Sequence, residues 1–416
     1  EPSLEEYVSS KSKNNITGYF MQIGIDDFDE INGRFGLKCG DEILKQFSMC
    51  MQSCINENQK IYELGNGRFI IMDLANHSKE DILELYDELK KSVEVALEEN
   101  VYRVVYTISV GIVEIDKEMK DYDTLIKYSD FALNEAKKKG KNSCYFFTQD
   151  KYKQFIRRRE IRVELQNAVD HNFKNFDVYY QPIIDIHTRN LIGAEALMRF
   201  KMKRNEQIEF ISPAEFIPIL EESGLIIPAG RWILRQAVAC CKKWQEFIPE
   251  FKVNVNLSYV QIIKSKILDE IKQALKDFNL KPALLGIEVT ESGYLENTYH
   301  YKKLWSSLKE EGITLILDDY GTGYSNAYRL SDLTPHYIKI DRVLTQKALS
   351  SNYERSILIY IIEMAHSLKL NVCIEGVETE EELQEIKKLN PDYIQGYLFG
   401  KPTPEDEFYN RQIKKK

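Results

Sequence analysis

The chain has 416 residues, 43% hydrophobic and 29% charged, with a net charge of −9. That length predicts two domains rather than one core, and the composition is that of an ordinary globular protein. The acidic balance argues against a nonspecific binder of nucleic-acid polymers, and no run of about 18 apolar residues offers a membrane span. The seven cysteines (39, 50, 54, 144, 240, 241 and 373) are scattered and form no CxxC pair, which points to a reducing cytoplasm rather than a disulfide framework or zinc site. The opening EPSLEEYVSSKSKNN lacks a basic start and an apolar stretch, so no signal peptide is expected. It also lacks an initiator Met, and the expectation is a fragment whose upstream sensor or membrane segment is missing.

In chain order, GYFMQIGI (18–25) reads as a strand and KCGDEILKQFSMCMQSCI (38–55) as a helix. KIYELGNGRFIIMDL (60–74) reads as two strands about a tight turn at Gly65–Gly67. A helix near 79–97, a strand at 103–115 and a helix at 122–139 follow, and GKNSCYFF closes the unit. This order predicts an α/β domain over 1–147, with an antiparallel or mixed sheet and helices on one side. Residues 148–170 are charged and free of Gly and Pro. Phe155, Ile156, Val163 and Ala168 suit a helical connector with one partly buried side.

From 171 to 416 the rhythm changes. Short apolar runs recur between helical stretches: DVYYQPIID, LIGAEALMRF, KVNVNLS, LLGIEVTES, TLILDDYG, YIKIDR, NVCIEGVE and DYIQGYLFG. Strands alternating with helices predict a parallel sheet, and eight of them a TIM-like (β/α)₈ barrel. Sites in such barrels lie where the strands end. The polar residues there are Glu195, Asn256, Glu288, Asp318 with Asp319, Lys339 with Asp341, Glu375 and Gln395. Hard oxygen donors without His or Cys suit Mg²⁺ or Mn²⁺, two of which can sit between neighbouring carboxylates. Ca²⁺, larger and a weaker Lewis acid, is the expected inhibitor.

EALMRF (195–200), YYQPIID, VNLSYVQ, IEVTES, LDDYGTGYS, IKIDR, EGVET and QGYLFGKP resemble, in the same order, the EAL family of cyclic di-GMP phosphodiesterases. The resemblance implies a barrel that hydrolyses cyclic di-GMP to linear pGpG with Mg²⁺ or Mn²⁺, in bacterial second-messenger signalling. Carried over position by position, Glu195, Asn256, Glu288, Asp318 and Asp319 match metal ligands. Lys339 matches the lysine near the attacking water, and Glu375 the general base or water-orienting glutamate. Gln181 and Arg199 match substrate contacts, Gln395 a position behind them. Glu291 matches the anchor of the loop after the paired aspartates, near which members of the family commonly pair as homodimers. Tyr320, Phe200 and Gly400 are mild departures from the family's usual residues. The alternative is a catalytically silent cyclic di-GMP receptor acting through protein partners.

The hairpin LGNGRF (64–69), with IDDFDEINGRFGLKCGDEIL, TISVGIVE and SDFALNEAKKKGKN around it, resembles the GGDEF diguanylate cyclases. Cyclase chemistry in that family needs acidic metal ligands where this chain has Gly24, Gly67 and Arg68. Asn56 and Gln59 occupy the ends of the family's inhibitory RxxD motif. The resemblance therefore implies a degenerate domain without cyclase activity. Asn32 and Asp41 match the guanine-reading pair, and Lys137 and Lys141 the phosphate contacts, so GTP is the expected allosteric effector.

Overall fold

The computed structural model describes residues 5, 6, 8, 17–74, 77–98, 104–115, 121–204, 206–290, 298–321, 330 and 334–414. The chain divides into two compact units, Glu1–Arg157 and Arg158–Lys416. Among the described residues the first holds five strands: β1 (Gly18–Ile25), β2 (Gln59–Gly65), β3 (Arg68–Asp73), β4 (Ile108–Ile115) and β5 (Cys144–Phe146). Their order is β2-β3-β1-β4-β5, with β1 antiparallel to β3 and β4 and only β4–β5 parallel.

Strand β1 is apolar at both parities of its alternation, and all eight of its residues are buried. Both faces of the sheet must therefore be covered. Met21, Ile23 and Ile25 cluster with Ile43 and Phe47 of the helix Leu37–Cys54 and with Leu89 of the helix Lys79–Glu98. On the other face Phe20, Ile70 and Val113 cluster with Leu125 of the helix Tyr122–Lys138. This corrects the expectation of helices on one side. The predicted hairpin turn is present, with Asn66 at φ 51° and Gly67 at φ 70°, as a two-residue turn between twisted strands requires. An additional helix, Phe28–Phe35, precedes the predicted one, and the strand expected from 103 starts only at Ile108.

The connector is helical over Gln149–Asp170. Its buried stripe is Ile161, Leu165 and Ala168, while Val163, expected on that side, is 58% exposed. The stripe at spacings of four and three takes the inner face, and Val163 lies off it.

In the second unit β6 (Phe176–Asp185), β7 (Leu191–Arg204), β9 (Lys252–Asn256), β10 (Leu285–Thr290), β11 (Thr314–Tyr320), β12 (Tyr337–Ile340), β13 (Asn371–Glu375) and β14 (Tyr393–Gln395) close into a barrel. Strands β8 (Gln207–Ile211) and β15 (Thr403–Pro404) pair outside the ring with β7 and β6. All eight predicted strands are present, but the ring is not wholly parallel. β6 runs antiparallel to both β7 and β14. The reason is local: β6 and β7 are joined by a short turn, and a short turn can only return a strand antiparallel, whereas a parallel return needs a crossover.

Candidate active site

The parallel strands bring their carboxyl-terminal ends to one rim. Asn256, Glu375 and Gln395 are the last residues of β9, β13 and β14, and Glu288, Asp318, Asp319 and Lys339 stand within the last three residues of β10, β11 and β12. Glu195 lies mid-strand, because β7 runs on to pair with β8. Asp341, by contrast, leaves this group: it caps the next helix, accepting from the Val343 N–H at 2.7 Å.

Lys339, 1% exposed, is the centre. Its ammonium donates to Glu195 Oε2 at 2.9 Å and Glu288 Oε2 at 3.0 Å, and lies 2.7 Å from Glu375 Oε1 and 3.4 Å from Asp318 Oδ1. Glu195 is held on both oxygens, by Asn256 Nδ2 at 2.7 Å and by Gln395 Nε2 at 2.7 Å. Gln395 Nε2 also reaches Gln181 Oε1 at 3.0 Å. Gln181 faces Glu195 across the β6–β7 ladder. One ammonium among four buried or half-buried carboxylates cannot neutralise them.

The protonation behaviour follows that imbalance. Burial would lower Lys339, but Asp318, Glu195, Glu288 and Glu375 hold it well above its ordinary value. Burial would raise Glu195, but Lys339 and the amide donors Gln395 and Asn256 hold it below the usual range. The others go up. Burial, with Glu195 beside it, raises Glu288 well above the carboxylate range, and burial raises Asp318 despite Lys339. Burial against the pull of Lys339 puts Glu375 at about 8, and burial with Asp318 beside it puts Asp319 at about 6.

This donor set fits hard divalent cations. Glu195, Glu288 and Asp318 offer carboxylate oxygens within 4.8 Å of one another, the surplus is negative, and no His or Cys stands among them. Asp319 adjoins them from a left-handed backbone, φ 57°, a conformation non-glycine residues hold only when the surroundings impose it. Tyr320 no longer follows the regular β11–β12 register. Of the loop expected at 320–325, residues 322–325 lie outside the described residues, as does its expected anchor Glu291.

A cavity of about 280 Å³ opens at this cluster, lined by Gln181, Glu195, Asp318, Lys339, Glu375 and Gln395. A larger one, about 690 Å³, begins at Arg199 and Asn256. Arg199 is half-buried, with its guanidinium 5.5 Å from the centre of the Tyr179 ring and donating to the Met198 carbonyl at 2.9 Å. Two residues that sequence reasoning passed over support the floor. Asn254 donates to Glu288 Oε1 at 2.8 Å and to the Tyr337 hydroxyl. The signal was available: in KVNVN, Asn254 shares the parity of Lys252 and Asn256, a polar face on a strand whose other residues are both valine.

In the first unit Gly24 lies opposite Arg68 in the β1–β3 register. A Cβ at Gly24 would stand 3.2 Å from Lys137 Nζ, and Arg68 pairs with Asp130 at 3.5 Å. Two cations therefore border the positions where the family has acidic ligands. Asn32 packs on Gly40, whose added Cβ would meet Asn32 Oδ1 at 1.9 Å. That oxygen is buried with no hydrogen-bond partner among the described residues. Asp41, exposed beside it, lies within the helix Leu37–Cys54 and not at its cap. Lys141 is paired with Asp27 at 2.6 Å.

Two family models match: the EAL domain over residues 162–402 and the diguanylate cyclase GGDEF domain over residues 1–143. The Signaling protein YkoW of Bacillus subtilis is 31% identical over 95% of this chain and 48% of its own length. The Cyclic di-GMP phosphodiesterase PdeR of Escherichia coli is 28% identical over 99% of this chain and 62% of its own. The chain thus spans about half the length of the first and less than two thirds of the second. Among solved structures, the PaMucR phosphodiesterase in complex with c-di-GMP superposes with a TM-score of 0.56 at 29% identity, covering 60% of this chain and 99% of that one. The chain belongs to the EAL domain family, its barrel following a domain of the GGDEF family.

Proposed function

We propose that the barrel hydrolyses cyclic di-GMP to linear pGpG. Water adds to one phosphorus, the bond to the 3′ oxygen breaks, and the product keeps a 5′ phosphate. The observation that carries this reading is Lys339 held among Glu195, Glu288, Asp318 and Glu375 at the strand ends. Glu195, Asn256, Glu288, Asp318 and Asp319 would hold two Mg²⁺ or Mn²⁺ ions. Such ions, when bound, activate water near neutral pH and draw charge from phosphoryl oxygens. Glu375, titrating near 8, is suited to exchange a proton with the attacking water. Lys339 orients the carboxylates, and Gln395 locks Glu195 against Gln181. Arg199, aromatic on one side, is placed to take a phosphate oxygen. Kinship with proteins named as cyclic di-GMP phosphodiesterases supports the substrate. The test is incubation with cyclic di-GMP and Mg²⁺ or Mn²⁺, with the products separated. Tight binding without any cleavage would instead favour a silent receptor.

The first domain, on this reading, makes no cyclic di-GMP and binds GTP as an effector. Arg68 and Lys137 around Gly24 support the loss of cyclase chemistry. The Asn32 acceptor, unpartnered among the described residues and next to Gly40 and Asp41, supports a guanine, whose N1–H and N2–H₂ are donors. Formation of pGpG from GTP alone, through newly made cyclic di-GMP, would overturn it. Two copies are proposed to pair near the loop after Asp319. A cytoplasmic location is likewise a proposal; among the described residues no helix is long and apolar enough to cross a membrane.

A further inference from the structure

The barrel has a cavity at its other end. It encloses about 450 Å³ and is lined by Lys252, Thr314, Tyr337, Asn371 and Tyr393, the first residues of β9, β11, β12, β13 and β14. It therefore opens on the face opposite the carboxylates. Its lining also includes Lys309, Lys369 and His336 and, among the described residues, no carboxylate. In a chain of net charge −9 this is a local reversal of sign. A concavity whose lining holds cations and no carboxylate favours anions; Asp185 and Asp392 stand behind Tyr393 rather than in the lining. Isolated surface lysines would instead alternate with acids and solvate separately.

The hydrogen-bonding groups point the same way. The His336 ring accepts the Leu315 N–H on Nδ1 at 2.9 Å, which leaves Nε2 as the protonated nitrogen and a donor. Lys309 Nζ is fixed by Thr334 Oγ1 at 3.0 Å. The volume is within the range of small-ligand sites, about 300–1,000 Å³.

Beside the apolar side chains Ile183 and Ile192, a hydrogen-bonded path joins the two ends of the barrel. Asn254 lines this cavity and is 2% exposed. Its amide donates to Tyr337 below and to Glu288 above, and Glu288 in turn accepts from Lys339. We propose that this cavity is a second ligand site, for a small phosphate-bearing anion, and that its occupant is felt at Glu288 through Asn254. The coupling rests on the hydrolase reading; the binding does not.

The test is calorimetric titration of the full chain, free of divalent metal, with pyrophosphate and separately with GMP. It is run on wild type and on the double variant Lys252→Ala/Lys369→Ala, whose exposed positions leave the fold intact. Saturable, salt-sensitive binding weakened tenfold or more in the double variant is expected. Preference for GMP would identify the occupant as a nucleotide, and equal binding would assign recognition to the phosphates; either supports the site. No saturation by about 10 mM ligand, a concentration that would reveal even millimolar affinity, overturns the proposal, as does binding that the double variant leaves unchanged. In the hydrolysis assay GMP should alter turnover of wild type and not of the double variant. Binding with unaltered turnover removes the coupling. Absence of hydrolysis in every sample would fail the hydrolase reading alone, and the titration would still decide the site.

Discussion

Lys339 Nζ lies 2.7 Å from Glu375 Oε1, yet Glu375 titrates at about 8. Burial raises the carboxyl, and the ammonium that would lower it is already engaged by Glu195, Glu288 and Asp318. The site thus holds negative charge that one lysine cannot match. Protons or divalent cations must supply the remainder.

A stability change with pH follows, and its sign is fixed. Glu375 has a folded value of about 8 against an ordinary 4.5. Between these values the folded chain holds a proton that the unfolded chain has lost, so stability falls as pH rises. The contribution is fully present below about 4.5 and lost through about 8. Thermal unfolding without divalent metal should show wild type losing ground to Glu375→Gln over that window. Parallel pH profiles would contradict the assignment.

Cation binding should expel protons from the same groups. Asp319 at about 6 and Glu375 at about 8 make the apparent affinity for Mn²⁺ rise with pH across that range. Calorimetry in two buffers of different ionisation enthalpy measures the protons released. A count of zero at pH 6, where Asp319 is about half protonated and Glu375 almost wholly so, would exclude these carboxyls from the cation site.

Glu195→Ala removes an oxygen donor and the acceptor for Lys339, Asn256 and Gln395. Turnover of cyclic di-GMP should fall by more than about 100-fold, beyond the 10–100-fold typical of groups that merely support a metal ligand. Retention of a tenth of the wild-type rate in a folded variant would remove Glu195 from the site. Replacing Mg²⁺ by Ca²⁺ should likewise stop turnover, since the larger ion takes more ligands and is the weaker Lewis acid.

Gly286→Ala tests the barrel floor. An added Cβ would meet Asn254 Oδ1 at 2.2 Å and Ile316 Cδ1 at 2.8 Å. Overpacking of this kind costs about 1–3 kcal/mol, and displacing Asn254 also loosens Glu288. Denaturant unfolding should register the loss, and unchanged stability would mean that the floor yields freely.

Asp41→Ala tests the proposed effector site. It should abolish any response of hydrolysis to GTP and leave the basal rate in place. The coupling it removes is typically about 5- to 150-fold. A full GTP response in this variant would place the nucleotide elsewhere.

The barrel was legible in the sequence because each strand carries its own signal. A short apolar run carries an isolated polar residue at or near the rim of the barrel, buried there among other polar groups rather than in the apolar core. Glu195, Glu288, Asp318, Lys339 and Glu375 could be named from it, since consecutive parallel strands must deliver their ends to one rim. Three things depended on neighbours distant in the chain. The antiparallel closure of β6 onto β14 joins strands from opposite ends of the barrel sequence, and the two faces of β1 are covered by helices that follow it in the chain. The sharing of one ammonium by four carboxylates exists only after closure of the ring, because no single strand contains more than one of those groups. Periodicity reports how a segment meets its surroundings, whereas charge balance is a property of the groups that folding brings within a few ångströms.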